Sequence, residues 1–106
     1  MELAWSPAAV DDLEAAVDCI ESELASPMAA RRLVDSAIEK AQLFRRLGAG
    51  TALRTLNGID TGYRYVVCGN WVVFLECGNG RALVVRVLYA KSDYMRTLFG
   101  EIDNER

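Results

Sequence analysis

Tyr63-Arg-Tyr-Val-Val-Cys-Gly-Asn-Trp-Val-Val-Phe-Leu-Glu-Cys77 is two β-prone apolar runs joined by the dipeptide Gly69-Asn70. Such a dipeptide between such runs predicts a β-hairpin, because a two-residue turn needs positive φ angles that glycine and asparagine adopt at little cost. Its strands read as Tyr63 to Cys68 and Trp71 to Cys77. Toward the C-terminus, Gly78-Asn79-Gly80 turns the chain into a third run, Ala82 to Tyr89. Toward the N-terminus, Leu53 to Leu56 reads as a further strand, with a turn through Asn57-Gly58. The second half is therefore an antiparallel meander of three or four strands.

The first half carries a different period. Glu2 to Trp5 is short and strand-like, and Ser6-Pro7 then supplies an N-cap followed by proline at the first helical position. Val10, Leu13, Val17, Ile20 and Leu24 recur at helical spacing, with Asp11, Asp12, Glu14, Asp18, Glu21 and Glu23 on the other faces. Ser26-Pro27 repeats the start signal, Ala30, Leu33, Ala37, Ile38, Ala41 and Phe44 follow, and Gly48 closes the pattern. With almost nothing between them the two helices form an antiparallel hairpin. Helices packed on one face of a meander make an α+β domain, with the sheet's other face at least partly open to solvent.

The chain has 106 residues, 52% apolar and 25% charged, an ordinary composition for one globular domain. No apolar run reaches the ~20 residues of a membrane span, and no signal-peptide pattern opens the chain. Cys19, Cys68 and Cys77 are odd in number and lie in apolar stretches, which reads as reduced, buried thiols of a cytoplasmic protein. Histidine is absent, which excludes His-based acid–base catalysis and most zinc sites. The acids of the first helix are spread over its outer faces and read as a solvated surface, so no metal and no cofactor is expected. The net charge of −3 is unevenly placed: residues 1–47 balance at −4, residues 48–96 at +3, and the remainder at −2. An overall acidic chain argues against a nucleic-acid-binding footprint, yet its middle can still present a basic surface.

The densest group of functional side chains follows the last strand, in Arg86-Val-Leu-Tyr-Ala-Lys-Ser-Asp-Tyr-Met-Arg-Thr-Leu-Phe99. This segment reads as a strand running into a short helix, with Arg86, Lys91, Arg96, Tyr89 and Tyr94 near the sheet's end. Three cations and two phenols suit an anion such as a phosphate chain. Each has a structural reading beside the functional one. Arg64 and Arg86 can pair with Asp93, Glu76 or the C-terminal acids; Tyr94, Leu98 and Phe99 can form the apolar face of a docking helix. Tyr63, Tyr65, Trp71 and Phe74 read as core and cross-strand pairs. Arg31, Arg32, Arg45 and Arg46 form solvated helix faces that can also meet an acidic segment of a partner.

Ser26-Pro27-Met28-Ala29-Ala30, Gly62-Tyr63-Arg64, Trp71-Val72-Val73-Phe74, Arg86-Val87-Leu88-Tyr89, Lys91-Ser92-Asp93-Tyr94 and Leu98-Phe99 stand in the order and spacing of one family. Over nearly its whole length the chain resembles the RelE/ParE superfamily of bacterial type II toxin–antitoxin toxins. The resemblance implies a short N-terminal strand, an antiparallel helix hairpin on a 3–4-stranded antiparallel sheet, and a short C-terminal helix. It implies one domain over residues 1–106, with 100–106 as a flexible acidic tail, and a cytoplasmic protein held inactive by a cognate antitoxin.

Two activities occur on this fold. The first reading is RelE-like, ribosome-dependent cleavage of mRNA by metal-independent attack of a 2′-hydroxyl; the alternative is ParE-like inhibition of DNA gyrase without catalysis. On the first, the resemblance makes Arg64 the hairpin arginine that stabilises a phosphorane-like transition state, Lys91 the basic position after the last strand, and Tyr94 the tyrosine of the terminal helix. Arg54 takes the place of basic residues on the preceding strand, and Arg86, Tyr89 and Arg96 become the RNA-phosphate contacts. The lysine pair of the best-known RelE type is absent, the only lysines being Lys40 and Lys91, and Tyr89 stands near where other relatives carry histidine. Neither reading involves a membrane or a small-molecule substrate.

Overall fold

The computed structural model describes residues 2–47, 51–54, 58–78 and 80–99. In chain order these form β1 (Glu2–Trp5), α1 (Pro7–Leu24), α2 (Pro27–Leu47), β2 (Thr51–Arg54), β3 (Asp60–Cys68), β4 (Trp71–Gly78), β5 (Arg81–Tyr89) and α3 (Tyr94–Phe99). The α+β architecture is the one expected from the sequence. Gly48, Asn57, Asn79 and the acidic tail at 100–106 lie outside the described residues.

Both helix starts follow the Ser-Pro signals. Ser6 is extended and its Oγ accepts the Ala9 N–H at 3.0 Å; Ser26 Oγ accepts that of Ala29 at 3.1 Å. Proline at the next position costs no intrahelical hydrogen bond. Between the helices Ala25 sits in the left-handed region, φ 49°, and closes α1 in the conformation that glycine more often supplies. At the β3–β4 turn, Gly69 has φ 61°, as the hairpin dipeptide requires.

The described strands form one sheet in the order β1-β5-β4-β3-β2, antiparallel except where β1 runs parallel to β5. No partner for β1 follows from local sequence signals. In the fold it extends the meander by one edge strand, with Leu3 beside Ala82 and Trp5 beside Val84. The β4–β5 ladder contains a bulge: Phe74 faces Arg86 and Leu75 faces Val84, so Val85 is the extra residue.

The sheet has two covered faces. On one, α1 and α2 pack Ala9, Ala16, Leu33, Ala37, Ala41 and Phe44 against Cys68, Val73, Leu75, Ala82, Val84 and Val87. The alanines on the helices let their backbones approach the sheet closely, while Phe44 fills the wider gap. On the other face, Leu53, Val72 and Phe74 are buried beneath Tyr94, Met95, Leu98 and Phe99 of α3. That second face was expected to be partly open, and α3 covers its middle because four of its six residues are apolar and aromatic. Val67, 49% exposed, marks where the cover ends.

The cysteine expectation needs correction. Cys68 is buried, whereas Cys19 and Cys77 are exposed. Cys19 falls on the outer side of α1, and Cys77 lies at the sheet's end beyond the helices. Among the described residues no helix is long and apolar enough to cross a membrane.

Candidate functional site

Strand alternation decides which of the candidate side chains can meet. Tyr63 and Tyr65 pack into the α3-side core and Val66 and Cys68 into the opposite one. Arg64 therefore projects on the α1/α2 side, as its register partner Leu75 does. It lies beyond the helices' cover and is exposed. Tyr94 is on the other face, with its ring 5.2 Å from that of Phe74. The sheet thus stands between the arginine and the tyrosine that the resemblance paired. Tyr63 stacks on Phe99 at 5.5 Å, and Tyr65 tilts against Phe74 at 6.4 Å, so the aromatic residues of this face are used in packing α3.

The other candidates also find partners separately. Arg54 Nη1 donates to Gly58 O at 3.2 Å, which turns the side chain along its own loop. Tyr89 meets Trp71 edge-on, ring centroids 5.3 Å apart. Arg96 Nε lies 3.4 Å from Asp93 Oδ2, an exposed pair within the first turn of α3. Lys91 is exposed in the turn before α3.

Arg86 is engaged most fully. Its Nε donates to Asp12 Oδ2 at 2.6 Å and its Nη2 to Asp12 Oδ1 at 2.9 Å, a bidentate pair in which the side chains are 30% and 14% exposed. The same Oδ2 accepts the Val87 N–H at 3.0 Å. Hydrogen bonding to Asp12 raises the Arg86 pKa above its ordinary value, partial burial opposes this, and the carboxylate's charge adds to the rise. Arg86 was expected among the anion contacts, or paired with Asp93, Glu76 or the tail; its partner is Asp12 of α1. The reading of the α1 acids as wholly solvated is corrected at this one residue.

The reason lies in the β5 edge. β1 accompanies β5 only as far as Trp5 beside Val84, and the Ser6 N–H still donates to Val84 O at 2.9 Å. There the chain leaves the sheet to begin α1, and the next β5 groups would lose their neighbour. Ser6 Oγ donates to Val85 O at 2.8 Å, and Asp12 receives Val87 N–H. The first turns of α1 thus replace the missing strand with side chains. Neither Asp12 nor its partner could be found from local spacing, since they are 74 residues apart.

What the described surface does offer is a groove between the helices. Trp5, Val10, Leu13 and Val17 form one wall and Val34 and Ile38 the other, around a volume of about 430 Å³. Val10 and Ile38 are 42% and 45% exposed, although they stand in the stripes that were read as core. Glu14 and Asp18 supply its polar lining. A signal was present in the sequence: both apolar stripes are broader than one buried face needs.

Residues 3–94 match the family described as the ParE toxin of the type II toxin–antitoxin system parDE. The chain belongs to this ParE toxin family. The ParE fold is seen as well in a solved structure described as a chromosomal ParDE toxin–antitoxin system from P. aeruginosa. That structure superposes with a TM-score of 0.71 at 18% identity, covering 86% of this chain and 97% of the other. No protein among the curated ones matches significantly by sequence. Within the wider RelE/ParE superfamily, this ParE membership is narrower than the resemblance drawn from the sequence motifs.

Proposed function

We infer that this chain is a toxin that acts by occupying its target, DNA gyrase, and is neutralised by a cognate antitoxin. The observation carrying this reading is the separation of Arg64 from Tyr94 by the sheet. Attack by a 2′-hydroxyl needs a base, a proton donor and cations within hydrogen-bond reach of a single phosphate. Here Arg86 is held by Asp12, Tyr94 lies against Phe74, and Arg64 projects on the opposite face. An inhibitor needs no such convergence, only a complementary surface. ParE membership supports the same choice between the two activities of the superfamily.

The test places both activities side by side. Purified chain is added to gyrase with relaxed plasmid and, separately, to translating ribosomes carrying a defined mRNA. Loss of supercoiling with intact message is expected. Codon-positioned cuts in the message with undisturbed supercoiling would overturn the proposal in favour of RelE-like cleavage. The antitoxin part is tested by co-expression with the product of the adjacent reading frame, which should co-purify and restore growth.

A further inference from the structure

We propose that the cleft beside the β3–β4 turn is a binding site for a small organic anion, a single carboxylate carried on an apolar body. This goes beyond the toxin reading and does not depend on it.

The cleft lies where the helix hairpin meets the turn of the sheet. Ile20 of α1, Leu33 of α2 and Trp71 of β4 form its apolar walls, around a volume of about 350 Å³. Small-ligand sites begin at roughly this size, ~300 Å³. Arg32 and Ser36 of α2 and Asn70 of the turn supply the polar lining. Arg32 and Ser36 are four residues apart, so they stand one above the other on the same helix face. Trp71 is half-buried and is held from another side by Tyr89, which meets it edge-on.

Charge and hydrogen bonding select the ligand. The cleft is lined by one guanidinium and no acid, whereas the groove between the helices carries Glu14 and Asp18 and no cation. Asp35, the acid three residues along α2 from Arg32, is taken by Arg31, with Nε and Oδ2 3.4 Å apart. Among the described residues neither Arg32, Ser36 nor the side chains of Asn70 and Trp71 have a hydrogen-bond partner. All four can donate, so what the cleft lacks is an acceptor. A carboxylate presents two oxygens to the guanidinium fork, with the hydroxyl and the amide beside it. Ile20, Leu33 and Trp71 would then take the ligand's apolar body out of water. An inorganic phosphate is a poorer match, because it brings up to two charges to one cation and leaves the apolar walls uncovered.

The nitrogen-labelled full chain is titrated with octanoate and, separately, with octylammonium, and amide and indole signals are followed by two-dimensional NMR. Octanoate should bind with a Kd on the order of 1 mM, as a ligand of its size allows. Its shifts should centre on the Trp71 indole N–H, Asn70 and Ser36, and octylammonium should bind at least ~10-fold more weakly. Arg32 is exposed on α2, a position where folding tolerates substitution. Arg32→Gln should weaken octanoate ~10-fold, and Arg32→Glu should turn the preference toward octylammonium. Equal affinities for the two probes, shifts centred on Val10 and Ile38, an octanoate affinity unmoved by Arg32→Gln, or no saturable binding of octanoate would each overturn the proposal. None of these outcomes depends on gyrase or on an antitoxin.

Discussion

Replacing Asp12 by alanine removes three hydrogen bonds at once: both from Arg86 and the one from Val87 N–H. A hydrogen bond to a charged group contributes ~1.5–3 kcal/mol, and breaking one side of a fully buried ion pair costs ~3–5 kcal/mol. The guanidinium here is 30% exposed and can recover some water, whereas the carboxylate is only 14% exposed. The expected loss is therefore ~2–3 kcal/mol, below the fully buried limit. For a domain near this size that lowers Tm by roughly 10–20 °C, readable by circular dichroism or calorimetry. Asp12→Asn keeps an acceptor for Val87 N–H but removes the charge, so it should fall between wild type and Asp12→Ala. A double-mutant cycle with Arg86→Ala isolates the pair, and a coupling of ~1 kcal/mol or more is expected. The pH dependence is fixed in sign. The folded pKa of Arg86 is raised, so its contribution is complete below the ordinary arginine value and is lost only as pH rises past the folded one. Arg86 titration therefore contributes no change to stability between pH 6 and 9. A Tm fall under ~3 °C for Asp12→Ala, or additive single mutants, would refute the account of the β5 edge.

Ser6→Ala should cost ~1–2 kcal/mol by denaturant titration, because Ser6 Oγ both caps α1 and donates to Val85 O; a cost near zero would deny it both roles. In native protein an aromatic disulfide reagent should titrate Cys19 and Cys77 rapidly and Cys68 only on unfolding, a result that rapid labelling of Cys68 would contradict. Tyr94→Phe should leave both Tm and growth arrest unchanged while Tyr94→Ala lowers Tm, since the ring packs on Phe74; loss of growth arrest in a folded Tyr94→Phe variant would give the hydroxyl a chemical role.

The elements with a local cause were legible in the sequence, and those with a distant one were not. Ser6-Pro7, Ser26-Pro27 and Gly69-Asn70 each act within four residues, so their helix starts and hairpin turn follow from the residues themselves. The alternation that places Tyr63 and Tyr65 on one face was equally visible, but its consequence for Arg64 depended on knowing which face the helices cover. Composition placed Arg86, Lys91 and Tyr94 together because they are near in sequence. The bulge at Val85 and the turn after Tyr89 then send them in different directions. The groove showed in the sequence only as the breadth of the two apolar stripes. Val10 and Ile38 have the spacing of core residues, and only the observed packing of α1 on α2 leaves them outside it.

The β5 edge explains why one arginine among five in residues 48–96 differs from the rest. β1 is only four residues long, so β5 runs beyond it and must find other partners for Val85 O and Val87 N–H. The first turns of α1 begin where β1 stops and can supply them. A carboxylate there accepts the backbone N–H and still has lone pairs facing the bulge. Burying that charge beside an apolar core is costly unless a cation joins it. Arg86, opposite Phe74 at the bulge, is the side chain in position to do so. The requirement that brings Arg86 to Asp12 is thus backbone satisfaction at a sheet edge, and the same pairing removes it from any surface that could meet a phosphate.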